Sequence, residues 1–306
     1  MPAVETEIVK IPPLSPGETS LVDQHSLLNV LNVLFGALGL LGHALAGDEA
    51  LLRGSLARCE GIRRDLADAG AARLHAAAVG GHATAILGEV ELALAAHPAR
   101  ARMPEVEESV ENIRSVFDVL EVRARELLAR AQAPGEWIAV PIEELRADFR
   151  LVFAAIEKNS HGRYRIIYNL AKQEPADYYV DFAIESADRR TVALPLVFKD
   201  VMRDLMANAR KYTPPGGIIS AGLYEAESVL KFSVQDSGCG IPPDEIETVV
   251  HYGRRGSNVL AVRTMGGGFG LTKAFLVTKQ FGGRFWIRSE LGVGTRIRLE
   301  IPRPRG

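Results

Sequence analysis

Leu27, Leu31, Leu34, Leu38, Leu41 and Leu45 follow one another at spacings of 4, 3, 4, 3 and 4. That period puts all six side chains on one stripe of an α-helix and rules out a strand, whose faces alternate every second residue. Such a stripe has to be covered by other helices. A second one runs through Val106, Val110, Ile113, Phe117, Leu120, Ala124 and Leu127, behind a helix start at Pro104. Two seams confine residues 21–133 to an all-α helical bundle, and their apolar surface is expected to be completed by a second copy, giving a homodimer. Away from the first seam lie His25, Asn29, Asn32, Gly36, Gly39 and His43, a face polar or small enough for close docking.

Between the seams, Ala46-Gly47-Asp48 supplies a helix stop and the next N-cap. A helix through Leu52, Leu56, Cys59, Ile62 and Leu66 follows, and the alanine-rich residues 70–97 predict one or two interrupted helices. Residues 1–20 contain Ile11-Pro12-Pro13-Leu14-Ser15-Pro16-Gly17 and are expected to form a disordered arm.

With 306 residues, 47% of them hydrophobic, the chain can bury two ordinary cores. A formal net charge of −2 excludes a dedicated nucleic-acid surface. Cys59 and Cys239 lack metal or redox spacing, and no signal peptide is apparent, which points to reduced thiols and a cytoplasmic location. The stretch from Leu27 to Ala46 is long enough to span a bilayer. Asn29, Asn32 and His43 on one side and the leucine heptad on the other predict instead a soluble helix, with no membrane partner.

Ala133-Pro134-Gly135 marks a boundary. Beyond it, residues 134–306 predict strands near 137–140, 163–169, 178–184, 218–224, 229–235, 284–289 and 295–301, with helices near 142–157, around Asn208 and up to Phe281. Mixed helices and hairpin-linked strands make an α+β two-layer domain.

Three pieces of this half carry chemistry. On the helix after Leu196, Asp204, Asn208 and Lys211 fall at i, i+4 and i+7, so a carboxylate, a carboxamide and an ammonium share one face. A carboxamide oxygen suits Mg²⁺, and the ammonium adds charge for a polyphosphate. Asp236-Ser237-Gly238-Cys239-Gly240 ends a predicted strand, where a carboxylate beside glycines can accept a hydrogen bond from an exocyclic amine such as that of adenine. Gly266-Gly267-Gly268-Phe269-Gly270-Leu271 opens a helix, whose free N–H groups form an anion site. Lys273 is not adjacent to the last glycine, so the run is not a P-loop.

In this order the pieces resemble the boxes of the histidine kinase/Hsp90-type (GHKL, Bergerat) ATP-binding fold, most closely the sensor histidine kinases. Asn208-Ala209-Arg210-Lys211-Tyr212-Thr213-Pro214, Phe281-Gly282-Gly283-Arg284 and Leu291-Gly292-Val293-Gly294-Thr295 add to the likeness. The resemblance covers about residues 137–303. It implies ATP and Mg²⁺ as cofactors, Asn208 as the metal ligand and Asp236 as the adenine reader. Lys211, Tyr212, Gly238, Gly240, Leu271 and Thr295 would line the nucleotide, and Gly266, Gly268 and Gly270 would close a lid carrying Arg254, Arg255 and Arg263.

The run His25-Ser26-Leu27-Leu28-Asn29-Val30 is similar to that family's H box, in which a phosphorylated histidine is followed four residues later by Asn or Thr. The family's usual acid after the histidine is replaced by Ser26, which leaves Asp204 as the candidate base. The implied function is autophosphorylation of His25, helped by Asn29, and transfer to an aspartate of a response-regulator receiver domain. Two other readings use the same sequence: a Ser/Thr protein kinase on the same ATP fold, and a non-catalytic dimeric scaffold.

Overall fold

A computed structural model of the chain describes residues 4–158, 160, 162–261 and 267–304. Two compact units are present: Leu14–Pro134, and the described residues from Gly135 onward together with those up to Pro13.

The first unit is helical. Ser15 caps α1 (Pro16–Asp23) with a reciprocal Glu18 contact, and at Gln24 the backbone leaves helical geometry before α2 (His25–Ala46) begins. Gly47, at φ 70°, ends α2 in the left-handed conformation that glycine adopts without strain. Helices α3 (Arg53–Asp65), α4 (Ala69–Ala77), α5 (Val79–Ala96) and the single turn α6 (Pro98–Ala101) lead to α7 (Pro104–Gln132). Arg100, just before α7, donates to the Ala44 carbonyl near the end of α2 at 3.3 Å, so α2 and α7 run antiparallel.

Both sequence seams are buried within the single chain. Leu31, Leu34, Leu38 and Leu41 pack with Ile113, Phe117 and Leu120 in one core, which Leu52, Ile62, Ala72, Ile86 and Val90 of the intervening helices complete. The expectation that a second copy covers these seams is therefore corrected: α3, α4 and α5 supply the missing wall. Helix α2 is long and apolar enough to cross a bilayer by length and composition; here its leucine stripe lies in this core. Cys59 sits there too, and burial pushes its thiol up to about 11.

The second unit is a mixed sheet under a layer of helices. Its strands are β1 (Thr6–Ile8), β3 (Ile166–Ile167), β4 (Tyr178–Glu185), β6 (Ile218–Glu225), β7 (Val229–Asp236), β8 (Arg284–Glu290) and β9 (Gly294–Pro302). A two-stranded sheet joins β2 (Trp137–Pro141) to β5 (Thr191–Pro195). The large sheet has the order β1-β8-β9-β7-β6-β4-β3, with β3, β4 and β6 parallel and the other pairs antiparallel. Leu230, Phe232 and Val234 of β7 alternate inward with Ile297, Leu299 and Ile301 of β9. Helices α8 (Ile142–Lys158), α9 (Leu196–Tyr212) and α10 (Gly270–Gln280) supply Phe149, Phe198, Met202 and Phe275 to the same core.

The described residues 4–20 depart from the expected disordered arm. β1 pairs antiparallel with β8, Thr6 opposite Ile287, and Ile8 is 2% exposed in the sheet core. Glu5 meets Arg298 and Glu7 meets Arg284. Exposed pairs of this kind are screened by solvent and add little, whereas burying an isoleucine stabilises by about 1.5–3 kcal/mol, so Ile8 is the main anchor. The predicted strand near 163–169 is reduced to two residues, and β5 is hidden in the sequence because its run abuts the α9 pattern.

Candidate functional site

Helix α9 is the spine of the site. Phe198, Val201, Met202, Leu205 and Met206 fix it in the core, and its first turns also bury the charged Lys199, Asp200 and Arg203. Asp204 and Asn208, one turn apart, meet the start of α10: a Cβ on Gly270 would sit 2.8 Å from Asn208 Nδ2 and 3.6 Å from the Asp204 Cβ. A side chain at position 270 would push the carboxamide aside. No side chain of a described residue caps α10 at Phe269, and its first N–H groups, which have no partner within the helix, lie beside the carboxamide. Among the described residues, Asp204 Oδ2 is buried, accepts no hydrogen bond and has Lys273 Nζ 3.9 Å away.

At its far end α9 reaches the Asp236 loop. The Tyr212 carbonyl accepts from Cys239 N–H at 3.1 Å and lies 2.5 Å from where a Gly238 Cβ would stand. Gly240, at φ 68°, passes against the Glu290 carbonyl. Asp236 Oδ1 takes two backbone donors, Gly238 N–H at 2.9 Å and Thr295 N–H at 3.2 Å. Burial outweighs both bonds and pushes the Asp236 carboxyl up to about 6. Its Oδ2 is left for another donor. Thr295 thus serves through its backbone, while its hydroxyl pairs with Ser289 at 2.8 Å.

The other expected residues are placed less tightly. Lys211 lies over the Tyr212 ring at 4.8 Å. Leu271 is half-buried at the start of α10, and Gly268, at φ 78°, faces the Arg254 carbonyl. Arg254 is exposed, and Arg255 donates to the Val259 carbonyl at 2.7 Å. Gly266 and Arg263 lie outside the described residues.

Several contacts that hold the site have no sequence signature. Lys273 of α10 and Asp200 of α9, 73 positions apart, are both buried and meet at 3.0 Å. Thr272 donates to the Val250 carbonyl at 2.9 Å, Asn258 to the Gly240 carbonyl at 2.9 Å, and Tyr252 stacks on Phe269 at 4.7 Å. Removing one partner of a buried pair strands the other charge. Lys273→Met is expected to lower stability by about 3 kcal/mol, the low end for such a pair because Arg203 also lies 3.6 Å from Asp200. Urea unfolding checks this, and a loss below about 1 kcal/mol would show the pair to be incidental.

In the helical unit, His25 opens α2 and is 6% exposed. The Asn29 amide nitrogen lies 3.1 Å from its Nε2 and 3.4 Å from Nδ1, so the two H-box residues are brought together by one helical turn.

Residues 194–305 match the family of histidine kinase-, DNA gyrase B- and HSP90-like ATPases. Among curated proteins, the adaptive-response sensory kinase SasA of Synechococcus elongatus is 28% identical over 62% of this chain and 46% of its own length. The histidine protein kinase DivJ of Caulobacter vibrioides is 33% identical over 38% of this chain and 18% of its own. The virulence sensor protein BvgS of Bordetella bronchiseptica is 28% identical over 71% of this chain and 17% of its own. The chain spans less than half the length of each of these relatives. The likeness is thus to the histidine kinase-, DNA gyrase B- and HSP90-like ATPases over residues 194–305, and the relatives that share it are sensory and histidine kinases.

Proposed function

We propose that the chain is an ATP-dependent protein histidine kinase of a two-component system, phosphorylating His25 and passing the phosphoryl group to a response-regulator aspartate. One observation carries the ATP half of this reading. Along α9, an uncapped helix start, a carboxamide cleared by Gly270 and a buried carboxylate with one open oxygen all converge. A magnesium nucleotide needs those groups: donors for phosphate oxygens, a hard oxygen ligand and an acceptor for an exocyclic amine.

The residues present fit Mg²⁺. Asn208 would hold it, since the Gly270 cradle leaves room that a Cβ would fill, and the bound ion would neutralise charge on the phosphates. Asp236 selects adenine through Oδ2. Lys211 and the lid arginines 254 and 255 offset charge as it builds, and Asp204, with its unmatched Oδ2, is the acid able to accept a proton. The His25 ring attacks through Nε2, which lies nearer the Asn29 amide than Nδ1 does, at 3.1 Å against 3.4 Å, in the tautomer that carries its proton on Nδ1. A bond forms from Nε2 to the γ-phosphorus as the bond to the bridging oxygen breaks, and ADP leaves. The positive charge left on the ring is discharged by loss of the Nδ1 proton. Positioning and charge compensation supply most of the rate.

Labelled ATP and Mg²⁺ test the reading. The expected product is a phosphoryl group on the chain that survives base and is lost in acid. An acid-stable product would instead mark a serine or threonine.

This reading takes the protein to be cytoplasmic and homodimeric. Support for the dimer comes from outside the seams, which are already buried within one chain. On α7, Asn112, Ser115, Val119, Val122 and Ala129 repeat at 3- and 4-residue steps or their sum, outside the core. Val119 and Val122 are each 41% exposed, and on α2 Leu40 is 69% exposed. Val119→Glu with Val122→Glu is expected to convert dimer to monomer in sedimentation at micromolar concentration. An unchanged dimer would move the interface elsewhere.

A further inference from the structure

The large sheet has an open edge. β3 pairs only Ile166 with Tyr178 and Ile167 with Tyr179, so among the described residues no strand lies beside the rest of β4 on that side. On its other side β4 pairs in parallel with β6 from Tyr179 to Glu185. In a strand so paired, successive residues turn their peptide groups to opposite sides. Tyr178 N–H reaches outward to the Arg165 carbonyl at 2.9 Å and Tyr179 N–H inward to Gly217 at 3.1 Å. By that alternation the peptide groups of Phe182 and Ile184 face the open side. Such an edge is a template for another strand.

A cavity of 330 Å³ runs along it. Val180, Asp181, Phe182 and Ala183 all line it. Four consecutive strand residues cannot share one face, so the cavity follows the edge of β4 rather than lying over the sheet. The opposite wall is α8, where Phe149 and Phe153 form a buried apolar floor and Arg146 and Arg150, also one turn apart, stand above it. Arg150 lies over the Tyr168 ring at 5.7 Å. Among the described residues, Arg146 Nε is buried without a hydrogen-bond partner, and its guanidinium meets the exposed Glu143, 3.5 Å from Nη1, with Asp181 also lining the cavity.

We propose that this groove docks an extended acidic segment of a partner protein. The segment adds to the edge of β4 as a strand, seats an apolar side chain against Phe149 and Phe153, and places a carboxylate on Arg146 and Arg150. Backbone pairing supplies affinity, and the alternating side chains supply selectivity. A second copy of the chain is the poorer occupant, because it would bring its own Arg146 and Arg150 to face these two. The site is separate from the nucleotide residues and does not depend on phosphoryl transfer.

The test uses the full chain and a capped synthetic peptide of eight residues, alternating valine and glutamate with one central phenylalanine, followed by backbone amide NMR. The expected result is saturable shifts at Phe182 and Ile184 with a Kd below about 1 mM. Binding should weaken about tenfold or more in the Arg146→Glu, Arg150→Glu protein. On the unaltered protein, two modified peptides should fail to bind: one with lysine for glutamate, and one N-methylated at alternate amides. Absence of shifts, equal binding of the lysine peptide, or shifts confined to another part of the sheet would overturn the proposal. Self-association that disappears in the arginine variant would overturn it too, by assigning the edge to a second copy.

Discussion

His25→Ala is expected to carry no acid-labile phosphoryl group after incubation with labelled ATP and Mg²⁺, a loss of at least about 10³-fold relative to the parent chain. The size of the effect follows from the chemistry. An imidazole nitrogen is the nucleophile, and alanine offers none, so no partial activity remains to be tuned. Alanine is tolerated in the first turn of a helix, and the ring's pairing with Asn29 at 3.1 Å is local, one turn away. The variant should therefore keep its helical spectrum and its nucleotide affinity within about twofold. That pairing of outcomes separates loss of the acceptor from loss of the fold. An adduct that persists in His25→Ala, or one stable to acid, would assign the transfer to another residue and sink the H-box assignment.

Asp236→Asn should abolish productive nucleotide binding and yet stabilise the empty protein. Asparagine can present a nitrogen where the carboxylate presents an acceptor, and an unsatisfied polar contact in a buried site costs about 1–3 kcal/mol, up to about 100-fold in affinity. The stability effect has the opposite sign. Burial raises the Asp236 carboxyl from 3.8 to about 6, about two units, or on the order of 3 kcal/mol. A raised carboxyl binds its proton more tightly when folded, so between those two values stability falls as pH rises, and above about 6 the penalty is complete. At pH 8 the asparagine variant should then unfold at higher urea than the parent, and near pH 3.8 the two should converge. The same titration predicts that adenine recognition by the parent weakens about tenfold between pH 7 and pH 5, and that the asparagine variant lacks this dependence. If the parent and variant show the same urea midpoints at pH 8, the carboxylate is better solvated than its burial implies.

The two effects together describe a residue kept for binding at the expense of stability. Gly238, Gly240 and Gly270 belong to the same economy of space, since each admits a backbone or amide group where a side chain would collide. They also explain why these boxes are legible in the chain itself. A glycine needed for close approach leaves its mark at fixed distance from the carboxylate or amide it serves. His25 and Asn29 are legible for a simpler reason, being one helical turn apart.

By itself the sequence determined the two seams, the helical unit ahead of the mixed sheet, and the boxes from which the nucleotide site is proposed. All of these are set by short-range periodicity or local backbone constraint. The tertiary structure alone decided what covers the seams: α3, α4 and α5 close the core inside one chain, which no spacing along α2 or α7 encodes. It also decided that residues 6–8 join the sheet, that Lys273 finds Asp200, and that β4 keeps an open edge facing two arginines. Each of those depends on partners tens or hundreds of residues away, chosen by how apolar faces and buried charges are satisfied in three dimensions.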